Sequence, residues 1–286
     1  MLIPAIVYYI IFCYLPMYGV IIAFKDYSYT KGIIGSDWVG LAQFQKALNS
    51  AFFWRAFKNT VIISSLKLLV IFPSNLLLAI LISETRTVWF KKSVQTISYL
   101  PHFMSWIIVG GVLYSLLNVY SGLVNLILTN VFGQDAIVFM QSARWYRTII
   151  VVSDLWKSVG WNSIIYIAAI SSLDQTMYEA AIIDGAKRWQ RIWHITIPGI
   201  MGTTIFLLIM SIGNILNGGF DQTYVLYNPL TYDVGDILDT YVYREGLVNA
   251  KWSYTTAVGL FKSVICMILL FVSDRVAKRI GQEGLF

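Results

Sequence analysis

Long apolar runs alternate with polar stretches along this chain. Six runs, residues 2–24, 61–82, 94–117, 148–170, 200–216 and 253–273, approach or exceed the ~20 residues a spanning helix needs. Residues 2–24 are therefore expected to form a spanning helix and not a cleaved signal segment. Pro4, Pro16, Pro73 and Pro101 fall inside the first three runs. They are tolerable there because neighbouring helices can satisfy the freed backbone groups. The adjacent Gly110 and Gly111 predict a close helix approach in the third run. The polar stretches are residues 25–58, 83–93, 118–147, 171–199 and 217–251. Within them, residues 41–48 show weak helical periodicity, and residues 121–125 read as a turn into a short helix. The predicted fold class is an all-α membrane protein of about six transmembrane helices. One domain covers 1–286: a first span plus outer loop over 1–58, five core spans over 59–274, a polar loop at 171–199 and a tail at 275–286.

Composition supports lipid as the solvent. The chain is 57% hydrophobic and 13% charged, against roughly 25% charged residues in soluble domains. Its 15% aromatic content suits interfacial belts of Trp and Tyr. The net charge of +6 does not indicate nucleic acid, because no long basic run exists and cytoplasmic loops of membrane proteins collect Lys and Arg. Cys13 and Cys266 both lie in apolar runs, with no metal or redox spacing and no disulfide framework.

Six spans put both termini on one side. Arg86, Lys91 and Lys92, then Lys187, Arg188 and Arg191, then Arg275, Lys278 and Arg279 share that side in short segments. The opposite loops hold as many basic residues in much longer stretches. The higher density marks the side of the termini as cytoplasmic.

Residues 178–198 are a basic island between the fourth and fifth runs. Thr176 and Glu179 have capping-box spacing, and Gly185 suits a helix stop. A second helix is expected from Ala186, with Trp189, Ile192, Trp193 and Thr196 on one face. Lys187, Arg188 and Arg191 fall elsewhere, within reach of lipid headgroups. Pro198 suits the first turn of the next span. On physics alone, a basic loop resting on the membrane lipid fits as well as a docking element.

Four charges, Lys67, Asp154, Lys157 and Lys262, lie inside apolar runs. Each costs about 2.5–3.5 kcal/mol at mid-membrane unless it faces a cavity or a partner. Asp154 and Lys157, three residues apart, could pair along one helix face or, near the outer end of the fourth span, simply lie at the interface. Lys67 and Lys262 have stems long enough to reach an interface. Asn162, Asn214 and Asn217 are candidates for a hydroxyl-binding path, with helix–helix hydrogen bonding as the alternative. Trp156 and Trp161 offer ring faces for sugars or for packing. His102 and His194 stand alone, so neither a metal site nor a catalytic constellation is expected.

The sequence Glu179-Ala180-Ala181, then Gly185, then Ile195-Thr196-Ile197-Pro198, resembles the EAA loop of permease subunits of binding-protein-dependent ABC importers. Ile197 replaces the usual Leu, a conservative change. The resemblance runs from the second span to the tail. Residues 154–170 (DLWKSVGWNSIIYIAAI), 219–229 (GFDQTYVLYNP) and 240–246 (TYVYREG) are similar to the maltose-type carbohydrate branch and its LplB-like group. The resemblance implies a type I importer fold in which residues 171–199 form a cytoplasmic coupling loop seated in an ATPase subunit. Glu179 would supply a polar contact, Ala180 and Ala181 a close-packing face and Gly185 the bend, with Asp184 and Pro198 beside them. It also implies a second homologous permease, two ATPase subunits carrying ATP and Mg, and an extracytoplasmic solute-binding protein meeting the outer loops. The transported substrate would be an oligosaccharide, with the span lysines leaving room for an acidic, uronide-containing one. The implied location is a bacterial cytoplasmic membrane. The chain itself is expected to bind no cofactor: neither G-x-x-x-x-G-K-[ST] nor G-x-G-x-x-G occurs. The competing class, an ATP-independent secondary transporter or channel, would usually carry an internal repeat, and none is evident.

Overall fold

A computed structural model describes residues 2–279, 281 and 284–285. The outer limits of the expected domain and tail, Met1 and part of residues 280–286, lie outside the described residues. Helix dominates, and the one strand pairing among the described residues is a two-residue antiparallel match of Lys25–Asp26 with Asp37–Trp38. Among the described residues, Ile3–Phe24, Ala51–Ser83 and Trp252–Arg279 are each long and apolar enough to cross a membrane. Two bent pairs raise that number to five. The remaining expected span is Ala143–Ser171, whose 29 residues reach ~44 Å at 1.5 Å per residue. It is more polar than the others because Arg144, Arg147, Asp154 and Lys157 all sit on it. The expected short helices appear as Ala42–Leu48 and Leu123–Asn130.

The third expected span is not one helix. Val88–Phe103 and Trp106–Leu116 meet at 102°. Pro101 lacks the N–H a continuing helix would use. Met104 then turns extended, and Ser105 starts a new helix by accepting the Ile108 N–H at 3.3 Å. The fifth span is bent as well: Arg188–Gly199 and Met201–Gly213 meet at 60°. Pro198 therefore sits just before a bend, at the end of the preceding helix, and not in the first turn of the long span.

The second and fourth spans pack together most extensively and form the spine. Gly160 allows the third element to press against that spine, since a Cβ there would collide with the Ser98 carbonyl. Gly110 plays the expected close-approach role against Val225, whereas Gly111 faces open space. The first span is mostly uncovered: Ala23 is its one buried residue, and its last turns, Tyr18–Phe24, lie against Trp252–Arg279.

A larger departure concerns residues 217–251, expected as an outer loop. Much of this stretch is core. Leu226, Ile237, Leu238, Thr240 and Asp236 are fully buried, and Phe220–Leu226 and Leu238–Tyr243 are helices packed into the bundle. Most of its buried polar residues are paired, as buried polar groups generally are. Asp236 takes two hydrogen bonds from the Arg244 guanidinium, at 2.6 and 3.0 Å, and one from Thr240 at 2.9 Å. Asn59 donates to the Asp233 and Asp236 carbonyls and accepts from Arg147, and Thr60 accepts the Leu238 N–H. The hydrogen-bonded Asp236 carboxylate pushes the Arg244 pKa further above its ordinary value.

Candidate functional site

The island at 171–199 folds as two helices joined at a glycine. Asp174, not Thr176, caps the first: its side chain accepts the Thr176 N–H at 2.9 Å, so Gln175–Ile183 already contains Thr176 in its first turn. The capping box of Thr176 and Glu179 is thus replaced by a cap two residues earlier. This bond holds the Asp174 carboxyl below the usual carboxylate range. Gly185 adopts φ +78°, the left-handed conformation glycine accepts at little cost. The Gly185 N–H donates to the Ile182 carbonyl at 3.0 Å and the Ala186 N–H to the Ala181 carbonyl at 2.8 Å, the paired bonds of a Schellman stop. Tyr178 and Thr196 join the two helices through their hydroxyls at 2.9 Å.

The second helix, Arg188–Gly199, includes a widened π turn at Ile192–Thr196. Its expected apolar face is split. Ile192 and Thr196 are buried near Ala79, Tyr166 and Ile200, whereas Trp189 and Trp193 are 69% and 63% exposed. The core lies beneath one edge of that face only. Glu179, Ala180, Asp184, Gly185 and Pro198 are exposed and Ala181 is half-buried. Glu179 forms no ion pair or side-chain hydrogen bond among the described residues. Beside it stand Met177, Ile182 and Ile183, the last 86% exposed. These apolar residues escaped the motif-based reading. Their signal was the presence of Met and Ile on a helix otherwise too polar to be core.

The candidate path residues divide into two groups. Lys67, Asn162, Asn214 and Asn217 share one cavity of about 190 Å³ with Ser64, Asn75 and Ser211. A neighbouring cavity of about 160 Å³ shares Asn75, Asn162 and Ser211 and adds Tyr166. The Ser64 hydroxyl, the Asn75 carbonyl oxygen and the Tyr166 hydroxyl are buried without a partner among the described residues. Asn214 and Asn217 bond only within their own turn. The interhelical alternative for these two amides is therefore not realised among the described residues.

Asp154 does not pair with Lys157. It binds the Lys67 ammonium at 2.9 Å, and Lys67 also donates to Gln222 Oε1 at 2.6 Å and to the Gly218 carbonyl at 3.2 Å. Gln222 returns its amide to the Ile150 carbonyl and the Ser153 hydroxyl at 2.7 and 2.9 Å. One junction thereby ties the second span, the fourth span and the buried 217–251 stretch. Lys157 turns the other way, donating to the His102 carbonyl at 2.6 Å, with its ammonium over the Trp106 ring. The break after Pro101 leaves carbonyls without helical donors, and a cation at a helix C-terminus satisfies them. Lys157 is accordingly a structural brace for the broken helix. Trp156 is half-exposed and outside both cavities, while Trp161 stacks on His102 at 4.5 Å. Lys262 pairs with Asp239. Among the described residues, no group of three His, Cys, Asp or Glu could hold a metal ion.

Bent spans, a polar cavity between helices and an exposed helix pair at Gly185 fit a membrane transport subunit. The chain belongs to the family of binding-protein-dependent transport system inner membrane components, whose pattern matches residues 75–282. It is 46% identical to Protein LplB of Bacillus subtilis (strain 168) over 286 residues, covering 100% of this chain and 90% of that one. It is 43% identical to the polygalacturonan/rhamnogalacturonan transport system permease protein YteP of the same organism, covering 100% and 89%. A chain of the bacterial alginate ABC transporter, solved in complex with an alginate pentasaccharide-bound periplasmic protein, superposes with a TM-score of 0.92 at 40% identity, covering 100% of this chain and 95% of that one. The fold is that of a type I ABC importer permease, and the family consists of non-catalytic membrane subunits.

Proposed function

We propose that this chain is one of two homologous permease subunits of an ATP-driven importer in a bacterial cytoplasmic membrane. It passes an oligosaccharide inward, acidic uronide-containing chains included, after delivery by an extracytoplasmic solute-binding protein. Two separate ATPase subunits carry ATP and Mg, and this chain binds neither. The termini and the Gly185 bend face the cytoplasm. The substrate class is supported by the polygalacturonan/rhamnogalacturonan permease and the alginate transporter that the chain resembles at 43% and 40% identity.

The single observation that carries the reading is the helix pair at Gly185. It is rigidly formed yet leaves Glu179, Ile182 and Ile183 uncovered. An ATPase cleft that covers them gains apolar burial and grips a helix already tied to the bundle through Tyr178 and Thr196. Rotation of the grip then moves the spans as bodies, with the Lys67 junction keeping the second and fourth spans together. The cavity amides and hydroxyls match sugar hydroxyls, which both donate and accept. Lys67 is already neutralised by Asp154, so this half of the path reads hydroxyls more than charge.

Uptake into vesicles containing the complete transporter tests the reading. Labelled oligogalacturonate should accumulate only when the binding protein and ATP are both present. Uptake that persists without ATPase subunits and follows an ion gradient would restore the secondary-transporter alternative.

A further inference from the structure

A separate cavity, sharing no lining residue with the Lys67 cavity, lies where the first span finishes and the second and sixth begin. It holds about 580 Å³, within the ~300–1,000 Å³ range of small-molecule sites. Asp26, Tyr27, Gln43, Lys46, Phe52 and Trp252 line it. Three observations set it apart from a packing defect. Gln43 is only 4% exposed, yet its amide makes no hydrogen bond among the described residues. Its amide atoms open into the cavity, where they are free to bond a polar occupant. Asp26 and Lys46 likewise form no ion pair among the described residues, whereas the nearby Glu245 and Lys251 satisfy each other at 2.7 Å. Ala250, also on the wall, has φ +53°, the one non-glycine residue with positive φ among the described residues. Such strain persists where the surroundings enforce it and is concentrated at functional sites.

The geometry points to a saccharide subsite at this outer mouth, in which Gln43 reads vicinal hydroxyls and a sugar ring rests against Trp252 or Phe52. This rests on the transport reading above. An amide with two donors and an acceptor suits hydroxyls that do both. Asp26 accepts, Lys46 donates to a hydroxyl or a uronate carboxylate, and the aromatic walls offer flat apolar faces to sugar C–H groups. An acyl chain would leave Gln43 unsatisfied. The site would hold one end of an oligosaccharide as the other end enters the bundle.

The test uses the assembled transporter in nanodiscs without binding protein, with trigalacturonate and a neutral galactotriose as probes. Saturation-transfer NMR should detect contact of both sugars with the wild-type complex. Gln43→Leu, nearly isosteric and leaving no amide, should weaken that binding about tenfold, the loss of one or two hydrogen bonds. Trp252→Leu should remove transfer to the sugar C–H protons, and Trp252→Phe should keep it. Unchanged binding in Gln43→Leu, or no sugar contact in the wild type, overturns the subsite. So does a finding that the cavity crosslinks to sugar-free binding protein and not to a photoactivatable sugar. ATP-dependent uptake measured on the same preparation separates the two claims: normal uptake with no Gln43-dependent contact removes the subsite and leaves the transport reading standing.

Discussion

Residues 175–199 and 217–251 are both polar stretches between apolar spans, and in sequence they look like two loops of one kind. In the structure they are opposites. In 217–251 key polar groups face inward and are bonded to each other and to the spans: Asp236 to Arg244 and Thr240, Gln222 to Lys67, Ile150 and Ser153. In 175–199 the backbone ends are closed by Asp174 and Gly185, but the side chains of Glu179 and Ile183 face outward with nothing against them. Polarity in a membrane chain says only that a segment avoids lipid. Whether it is internal framework or external surface depends on whether its polar groups find partners within the chain.

Substitutions can break this contrast, and the largest effect is expected inside the framework. Asp236→Ala leaves the Arg244 guanidinium without its carboxylate at a fully buried position. Removing one partner of a buried pair typically costs about 3–5 kcal/mol. Thermal unfolding of the purified subunit should show a large drop in midpoint, and a midpoint within a degree of wild type would show that 217–251 is not framework. Lys67→Met should cost less, about 1–3 kcal/mol, because Asp154 and Gln222 lose a shared donor at a partly exposed site. Adding Asp154→Leu should recover part of that loss, which a double-mutant cycle of melting curves would measure.

On the other side of the contrast, stability and function should separate. Gly185→Val meets no neighbour, so its cost is the left-handed backbone, about 1–2 kcal/mol. The protein should still reach the membrane and melt near wild type, while vesicle uptake falls by at least tenfold. The smallest effect is a pH dependence. The Asp174 carboxyl is depressed by its bond to the Thr176 N–H. Its contribution is therefore complete at neutral pH and fades as pH falls through the carboxylate range. Protection factors in the first turn of Gln175–Ile183, corrected for the intrinsic pH dependence of exchange, should fall there, and Asp174→Asn should flatten that dependence.

Much of the architecture was legible in the sequence because lipid imposes a length and a composition on each span. The Gly185 bend was legible for a similar reason, since few residues take positive φ. Three features were not. Pro101 reads the same whether it kinks a helix or ends it, and only the structure, in which the freed His102 carbonyl accepts from Lys157, reveals which. The partner of Asp154 comes from another span, so spacing favoured Lys157 while the fold supplied Lys67. Asn217 and Gln222 are both amides in one polar stretch. One lines the cavity and the other is 1% exposed within the Lys67 junction, a difference set by packing and not by residue type.

Residues 175–199 fold as a capped helix pair with an exposed surface, and the proposed role of that surface is to dock against an ATPase subunit. Hydrogen–deuterium exchange on the permease, alone and assembled with its ATPase subunits, tests it most directly. Assembly should protect the amides of Gln175–Ile183 and Arg188–Arg191 strongly and leave those of the buried Phe220–Leu226 and Leu238–Tyr243 helices unchanged. Equal exchange at Gln175–Ile183 with and without the ATPase subunits would contradict it.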